Sequence, residues 1–213
     1  MKKILIPALA IFLLSACNNN KVVLFNGDNL DNWSRFTPGV EQQDSVFRVE
    51  NGLLYVSGIP HAYIRTNGEY ANYKLHLEWR WVSEPANSGV LIHTTGEDLL
   101  FPNCIEAQLM HRRAGDFVLM GKGTGITVQD STYVVPSREN RYLAIKKMKE
   151  STEKPAGEWN SYDIIAQNDT IELYVNGELQ NRGTGATKTS GSICLQSEGG
   201  PMQFRNIYLE KIH

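Results

Sequence analysis

Cysteine is scarce in this sequence, and its few copies lie far apart. The three cysteines are Cys17, Cys104 and Cys194, and the five histidines are dispersed along the chain. No close pair of cysteines is present to supply the usual ligands of a zinc site. The composition therefore disfavours such a site, and it leaves Cys104 and Cys194 either as a disulfide or as two buried free thiols.

Basic clusters and long apolar runs are also missing. The formal net charge is −2, and no basic run or basic patch interleaved with aromatics is visible. Since nucleic-acid binding depends on such clusters, we expect no nucleic-acid partner. After residue 14 no apolar stretch approaches the roughly 20 residues of a transmembrane helix. Convincing amphipathic helices are absent too, and the best candidate, residues 138–150, fits a solvated loop equally well.

The N-terminus has the composition of a targeting segment. Lys2 and Lys3 precede a short apolar stretch, and residues 14–17 (LSAC) match the lipobox of bacterial lipoproteins. An apolar stretch this short fits a signal peptide better than a transmembrane helix. The predicted division of the chain is a lipoprotein signal peptide at residues 1–16, a lipidated tether at residues 17–21 and a single domain at residues 22–213.

Cys17 is the predicted lipid acceptor, because the modification needs its thiol. Asn18 follows it instead of an aspartate, so nothing argues for retention at the inner membrane. We therefore expect attachment to the outer membrane of the cell envelope, on a side that the sequence leaves open. Several acyl chains are needed for durable attachment, since a single chain anchors only marginally.

The rest of the chain has the pattern of β-strands. Residues 73–82 alternate between two faces, and the apolar face carries Leu75, Leu77, Trp79 and Trp81. A period of two indicates a long strand with one face in a core. The Asn-Gly pairs at residues 51–52 and 176–177 predict tight hairpins, because this pair supplies positive φ angles. Many such strands separated by Gly, Asn and Pro predict an all-β antiparallel sandwich.

Two predicted strands, residues 104–110 and residues 193–198, carry polar pairs that alternate with apolar residues. Glu106 and Gln108 share one face of the first strand, about 7 Å apart along it. Gln196 and Glu198 share one face of the second strand, just before Gly199. On periodicity alone, ordinary solvent-facing side chains are the simpler interpretation of Glu106 and Gln108. A carboxylate at the loop edge that bonds to the amides of the turn is the plain alternative for Glu198.

Two segments near opposite ends of the chain resemble the signatures of a known family. They are residues 24–33 (LFNGDNLDNW) and 195–207 (LQSEGGPMQFRNI), and they are similar to the opening and closing segments of the 3-keto-disaccharide hydrolase family. That family is also described as 3-keto-glucoside-1,2-lyase/3-keto-2-hydroxy-glucal hydratase. Between them, residues 87–90 (NSGV), 105–108 (IEAQ) and 157–160 (GEWN) occur in the family's order. The resemblance implies a concanavalin-A-like jelly-roll β-sandwich whose curved sheet offers a surface to a sugar.

The resemblance also implies a reaction, in which a 3-keto-glycoside is cleaved by elimination across carbons 1 and 2. Hydration of the resulting 2-hydroxy-3-keto-glucal then completes a net hydrolysis. Glu106 matches the family's Glu-x-Gln active-site strand, so we predict that it is the base, with Glu198 or His93 as the proton donor. Many relatives have Asp-His where this chain has Ser197 and Glu198, so a carboxyl group stands here in place of an imidazole.

A wider set of polar residues is predicted to bind and polarise the saccharide, namely Arg65, Asn87, Gln108 and Gln196. The motifs require no cofactor, and a divalent cation on the enolate oxygen stays an open alternative. Two other functions stay open as well. One is a non-catalytic carbohydrate-binding sandwich module, and the other is a conventional glycosidase in which Glu198 pairs with Glu106.

Overall fold

The computed structural model of the protein describes residues 20–212. The predicted signal peptide and the predicted lipid acceptor Cys17 lie outside these residues. Within the described part, no helix is long and apolar enough to cross a bilayer. Its regular structure consists of seventeen strands and one turn of 3₁₀ helix, Gln43–Ser45.

The strands are short, and they follow one another through turns and loops. In chain order they are β1 (Lys21–Val23), β2 (Trp33–Phe36), β3 (Phe47–Glu50), β4 (Leu53–Val56), β5 (Ala62–Thr66), β6 (Tyr73–Trp81), β7 (Gly89–Thr95), β8 (Asn103–Gln108), β9 (Phe117–Met120), β10 (Gly125–Val128), β11 (Ser131–Val134), β12 (Tyr142–Ile145), β13 (Asn160–Gln167), β14 (Thr170–Val175), β15 (Glu178–Gly183), β16 (Ser192–Ser197) and β17 (Met202–Lys211).

Two antiparallel sheets pack face to face. The first has the strand order β15-β14-β13-β6-β17-β4-β3, with β1 paired to β17. The second has the order β12-β9-β8-β7-β16-β5-β2, and a separate ribbon joins β10 to β11. The predicted all-β antiparallel sandwich is confirmed.

Strand β6 shows the alternation that the sequence predicts. Leu75, Leu77 and Trp79 are fully buried and Trp81 is 2% exposed, while the residues between them are partly exposed. The two predicted hairpins are also present. Their Asn-Gly pairs at residues 51–52 and 176–177 have positive φ at every position and connect β3 to β4 and β14 to β15.

The helical alternative for residues 138–150 is wrong. This segment contains β12, which pairs with β9 and completes the edge of the second sheet. Ile145 lies opposite Phe117 and is buried, whereas Tyr142 is largely exposed. The ladder to β9 pairs the backbone groups on one side of residues 142–145, which favours a strand over a helix with no apolar face of its own.

A second apolar cluster lies on the outer face of the second sheet, apart from the core between the sheets. We call it the outer cluster, and its buried members are Tyr63, Leu91, Cys104, Val118, Met120 and Cys194. Along each strand these residues alternate with core residues, so they face away from the first sheet. Phe101, in the segment between β7 and β8, packs against the outer cluster and partly covers it.

Candidate active site

Glu106 lies at the centre of the outer face of the second sheet. Its neighbours in register are Leu91 of β7 and Val118 of β9, both members of the outer cluster. The residue is only 4% exposed, and its Oε1 has no hydrogen-bond partner among residues 20–212. Burial, with a smaller contribution from the negative charge of Glu198, raises the pKa of the Glu106 carboxyl to about 8. This carboxyl group can therefore accept or release a proton near neutral pH.

Gly89 provides the space that the Glu106 carboxyl occupies. The two residues lie on adjacent strands, where Gly89 is opposite Gln108. A Cβ atom built on Gly89 would overlap the carboxylate and lie 2.7 Å from Glu106 Cδ. Since a glycine in a strand weakens it, its presence here is explained by the close approach of this side chain.

His61, just before β5, joins the site through Gln196 of β16. Gln196 is 4% exposed, and its Nε2 lies 3.0 Å from His61 Nε2. The amide can donate to the neutral imidazole through Nε2, or accept from the protonated ring through Oε1 if the amide turns over. Glu198 Oε2 lies 4.0 Å from the same ring nitrogen. The arrangement can therefore accommodate His61 in its neutral or its protonated form.

The sequence analysis missed His61, although one signal pointed to it. The residue precedes Tyr63 by two positions, so strand alternation places it on the face of Tyr63 and the outer cluster. Only the pairing of β16 with β5, in which Gln196 lies opposite Tyr63, brings it to Gln196.

Asn87 and Gln108 lie at the edge of this cluster. Asn87 forms backbone bridges to Glu198 and Gly199, and its buried Oδ1 has no hydrogen-bond partner in the described part of the chain. Gln108 is 7% exposed. Its Oε1 accepts hydrogen bonds from the backbone N–H groups of the next two residues, at the end of β8. The side-chain oxygen is therefore already paired within the protein. The structure thus brings Glu106, Gln108, Gln196, Glu198 and Asn87 to one region of the outer face.

His93 is not part of this group. A bulge in β7 gives it a positive φ of 54°, and its ring packs edge-on against Tyr73, a core residue, at 5.7 Å. His93 is fully buried, and its Nδ1 lies 2.8 Å from the carbonyl oxygen of Lys188. Burial lowers the pKa of its imidazole. The ring is therefore a neutral structural group that faces the sandwich interior, away from the outer face that carries Glu106.

Arg65 lies on the outer face but is occupied by the segment between β7 and β8. Its Nη1 donates to the Gly96 carbonyl oxygen and to Asp98 Oδ1, each at 3.1 Å. The hydroxyl of Tyr63 donates to the same Asp98 oxygen at 2.9 Å. These bonds hold residues 96–102 against the sheet, so Arg65 positions this segment and is not free to bind a ligand.

Phe101 links that segment to the site. Its ring lies edge-on to the ring of His61, with the centroids 5.6 Å apart. It also packs against the outer cluster, which includes both in-register neighbours of Glu106. The segment therefore covers part of the outer face beside the site and places an aromatic ring against His61.

Cys104 and Cys194 are free and buried. They are therefore two thiols and do not form a disulfide. Cys194 Sγ lies 3.4 Å from Thr94 Oγ1, and burial raises the pKa of this thiol to about 12. Among residues 20–212 there is no cluster of at least three His, Cys, Asp or Glu side chains that could bind a metal ion.

Comparison with known proteins identifies a matching family. The model of the 3-keto-alpha-glucoside-1,2-lyase-like domain matches residues 20–210. No curated protein matches the sequence.

Several solved structures share the fold. Two candidate glycosyl hydrolases from Parabacteroides distasonis are similar, the first with a TM-score of 0.66 at 20% identity, covering 91% of this chain and 94% of its own. The second has a TM-score of 0.63 at 23% identity, covering 90% and 99%. A β-glucanase from Bacillus licheniformis has a TM-score of 0.58 at 12% identity, covering 90% and 97%. The expected jelly-roll sandwich is thereby confirmed.

Proposed function

Since the chain belongs to the 3-keto-alpha-glucoside-1,2-lyase-like domain family, a family of carbohydrate-active proteins, we propose that it is an enzyme that cleaves 3-keto-glycosides. The reaction begins with elimination across carbons 1 and 2 and ends with hydration of the 2-hydroxy-3-keto-glucal. One observation carries the proposal. The carboxyl of Glu106 is buried on the outer face with Oε1 unpaired among the described residues and its pKa raised to about 8.

Glu106 acts as the base in the first step. The ketone at carbon 3 makes the hydrogen at carbon 2 acidic, because the electron pair left behind is delocalised onto the ketone oxygen as an enolate. Glu106 takes this proton, a double bond forms between carbons 1 and 2, and the bond from carbon 1 to the glycosidic oxygen breaks. A base with a pKa near the working pH suits this transfer.

His61 and Glu198 supply the proton that the departing oxygen needs. His61 replaces His93 in this role, because His93 faces the core and His61 lies 3.0 Å from Gln196 beside Glu198. In the second step the roles reverse: water gives a proton to the group that protonated the leaving oxygen as its hydroxyl adds to carbon 1, and Glu106 returns a proton to carbon 2. The sum of the two steps is hydrolysis of the glycoside.

The amide groups bind the saccharide and polarise its ketone. Asn87 Oδ1, which has no hydrogen-bond partner among residues 20–212, accepts a hydrogen bond from a sugar hydroxyl. The amide N–H groups of Gln108 and Gln196 are the donors for the enolate oxygen, which needs hydrogen bonds most when its charge develops. A divalent cation on the same oxygen remains an alternative.

A conventional two-carboxylate glycosidase is the second candidate. It is favoured by one observation, which is that Glu198 is near enough to Glu106 to contribute to its raised pKa. In that mechanism the protonated Glu106 would act as the acid and Glu198 as the second carboxylate. The two mechanisms therefore require opposite protonation states of Glu106.

The pH dependence distinguishes these mechanisms. With a 4-nitrophenyl 3-keto-glucoside, whose leaving group needs no proton donor, elimination requires Glu106 to be deprotonated. Because its pKa is raised to about 8, we expect kcat/KM to rise about 50-fold between pH 6 and pH 8 and then level off. A glycosidase that uses Glu106 as an acid would show a flat or falling profile over this range.

Isotope exchange provides an independent check of the same proposal. Elimination and hydration in D₂O place deuterium at carbon 2 of the product, whereas direct hydrolysis leaves the original hydrogen there. Because Glu106 could return the same proton that it removed, the elimination would be excluded by product without deuterium together with no detectable 2-hydroxy-3-keto-glucal during the reaction. Tight saccharide binding with no product from any 3-keto substrate would instead identify a non-catalytic module.

The lipid anchor is a separate proposal, based on the lipobox at residues 14–17. Replacing Cys17 by serine removes the thiol that accepts the lipid, so we expect the protein to move from the membrane fraction to a soluble or unprocessed pool. Asn20→Ser, just outside the lipobox, is the control and should remain with the membrane. Equal incorporation of labelled palmitate into wild type and Cys17→Ser would show that the anchor is elsewhere.

A further inference from the structure

His61 lies just outside the hydrogen-bonded ladder of the second sheet. Strand β5 begins at Ala62, which pairs with Ser197 at the end of β16, so the ladder starts only after His61. Residues in connecting segments are more mobile than residues within strands. A proton donor has to be held close to the oxygen that it protonates, because small displacements are costly. Other contacts must therefore fix the place of the His61 ring.

The hydroxyl of Ser197 supplies one such contact, and the chemistry described above gives it no role. Ser197 is fully buried, and its Oγ donates a hydrogen bond of 3.0 Å to the carbonyl oxygen of Pro60. This carbonyl belongs to the planar peptide group that joins Pro60 to His61. The hydrogen bond restrains that plane, and with it the direction in which the His61 side chain leaves the backbone.

The loop that ends at His61 also packs against the residues that follow β16. The N–H group of Gly199 donates to the carbonyl oxygen of Gly58 at 2.6 Å. A Cβ atom on Gly58 would lie 2.4 Å from the carbonyl carbon and oxygen of Gly200, so the two backbones are in direct contact. Glycine at position 58 is explained by this close approach.

The two residues that flank Ser197 act on the His61 ring itself. Gln196 Nε2 lies 3.0 Å from His61 Nε2, and Glu198 Oε2 lies 4.0 Å from the same nitrogen. The ring of Phe101 lies edge-on to the imidazole on another side, at 5.6 Å. Three consecutive residues therefore hold His61, the middle one through the backbone and the outer two at the ring.

We propose that Ser197 is a positioning residue, which holds His61 through the Pro60 carbonyl so that the imidazole can protonate the departing glycosidic oxygen. The inference rests on the proposed elimination reaction and deepens it. The protonated His61 gives its proton to the oxygen as the bond from carbon 1 breaks, and water returns a proton to the ring during hydration. Without the Ser197 hydroxyl the Pro60 peptide is free to turn, and the ring moves away from the oxygen.

The test compares two leaving groups. The 4-nitrophenyl 3-keto-glucoside needs no proton donor, whereas methyl 3-keto-glucoside needs one because methoxide is a poor leaving group. The measured quantity is the leaving-group ratio, which is kcat/KM for the methyl substrate divided by kcat/KM for the 4-nitrophenyl substrate. We expect His61→Ala to lower this ratio, and Ser197→Ala to lower it about ten- to hundredfold through displacement of the same donor.

Two further variants and a double substitution make the test specific. Gly58→Ala, whose methyl group would overlap the Gly200 backbone, displaces the loop from its other side and should also lower the ratio. Ser192→Ala removes another buried serine from β16, at the opposite end of the strand, and should leave the ratio unchanged. In the His61→Ala background, Ser197→Ala should cause no further decrease, since the group that it positions is gone.

The possible outcomes separate the two proposals. If His61→Ala lowers the ratio but Ser197→Ala does not, the positioning role is wrong and the proposed reaction stands. If Ser197→Ala lowers kcat/KM equally for both substrates, or lowers the ratio further without His61, Ser197 acts on the fold or on another group and the assignment is again wrong. Should Ser197→Ala fail to fold, the ratio in Gly58→Ala decides the same question.

Two outcomes reach the proposed function itself. If His61→Ala leaves the ratio unchanged, His61 is not the donor, and the role of Ser197 falls with that assignment while elimination by Glu106 stands. If wild type cleaves neither substrate, both the proposed function and the positioning role are overturned.

Discussion

Replacing Glu106 by glutamine is expected to lower kcat on a 3-keto-glucoside by about 10²–10⁴-fold, the usual contribution of a general base. Glutamine has nearly the same shape, but it cannot take the proton from carbon 2. The measurement is release of the aglycone at pH 8, with the wild type as reference. The matched control is Glu210→Gln, an exposed glutamate on the first sheet, which should keep full activity.

The same variant is expected to be more stable than wild type at neutral pH. The folded-state pKa of Glu106 is about 8, against an ordinary value of 4.5. Between these values the folded protein binds more protons than the unfolded chain, so the wild type loses stability as the pH rises through this window. Glutamine does not titrate, and the difference in melting temperature should therefore grow from pH 5 to pH 8.

These two measurements distinguish a catalytic loss from an unfolded variant. Full activity in Glu106→Gln would show that another group is the base. A lower melting temperature at every pH would show that the Glu106 carboxyl has partners that stabilise it in the folded state.

The substitution Gly89→Ala should also remove most of the activity, with a loss of at least about 10²-fold, because small displacements of a catalytic group are costly. The new methyl group would overlap the Glu106 carboxyl and force it to rotate away. The three atoms nearest to the new methyl group all belong to this flexible side chain, so the side chain can move while the backbone stays in place. A strand glycine costs roughly 0.5–1 kcal/mol relative to alanine, and the melting temperature should therefore stay unchanged or rise.

A double substitution checks that the two effects share one cause. In the Glu106→Gln background, Gly89→Ala should produce little further loss of activity, since the group that it displaces is already inactive. Independent, multiplying losses would indicate that Gly89 matters for a different reason, such as direct contact with the saccharide.

Part of the site could be predicted from the sequence because strand alternation is a local property. Glu106 and Gln108 alternate with apolar residues in β8, and Gln196 alternates likewise in β16, so each was assigned to the correct face. His93 shows where this reasoning fails. A bulge in β7 gives the residue a positive φ and turns its ring into the core, and such a change of backbone has no clear signature in the sequence.

The prediction that Arg65 binds the saccharide fails for a different reason. It lies on the outer face, but its guanidinium binds Asp98 and the Gly96 carbonyl oxygen in the segment that precedes β8. The partner of a charged side chain depends on which loop folds over the sheet. That information is not contained in the residues around Arg65.

The sequence by itself determined the all-β class, the two Asn-Gly hairpins and the face on which Glu106 lies, since each follows from neighbouring residues and the period of a strand. Only the tertiary structure decided that Glu106 is buried with a raised pKa, and that His61 stands beside Gln196. The burial of Glu106 depends on the strands that flank it in the second sheet, and the place of His61 depends on the register of β16 with β5. The desolvation of a side chain and the pairing of distant strands both depend on contacts between residues that are far apart in the sequence. A local sequence pattern therefore cannot predict them.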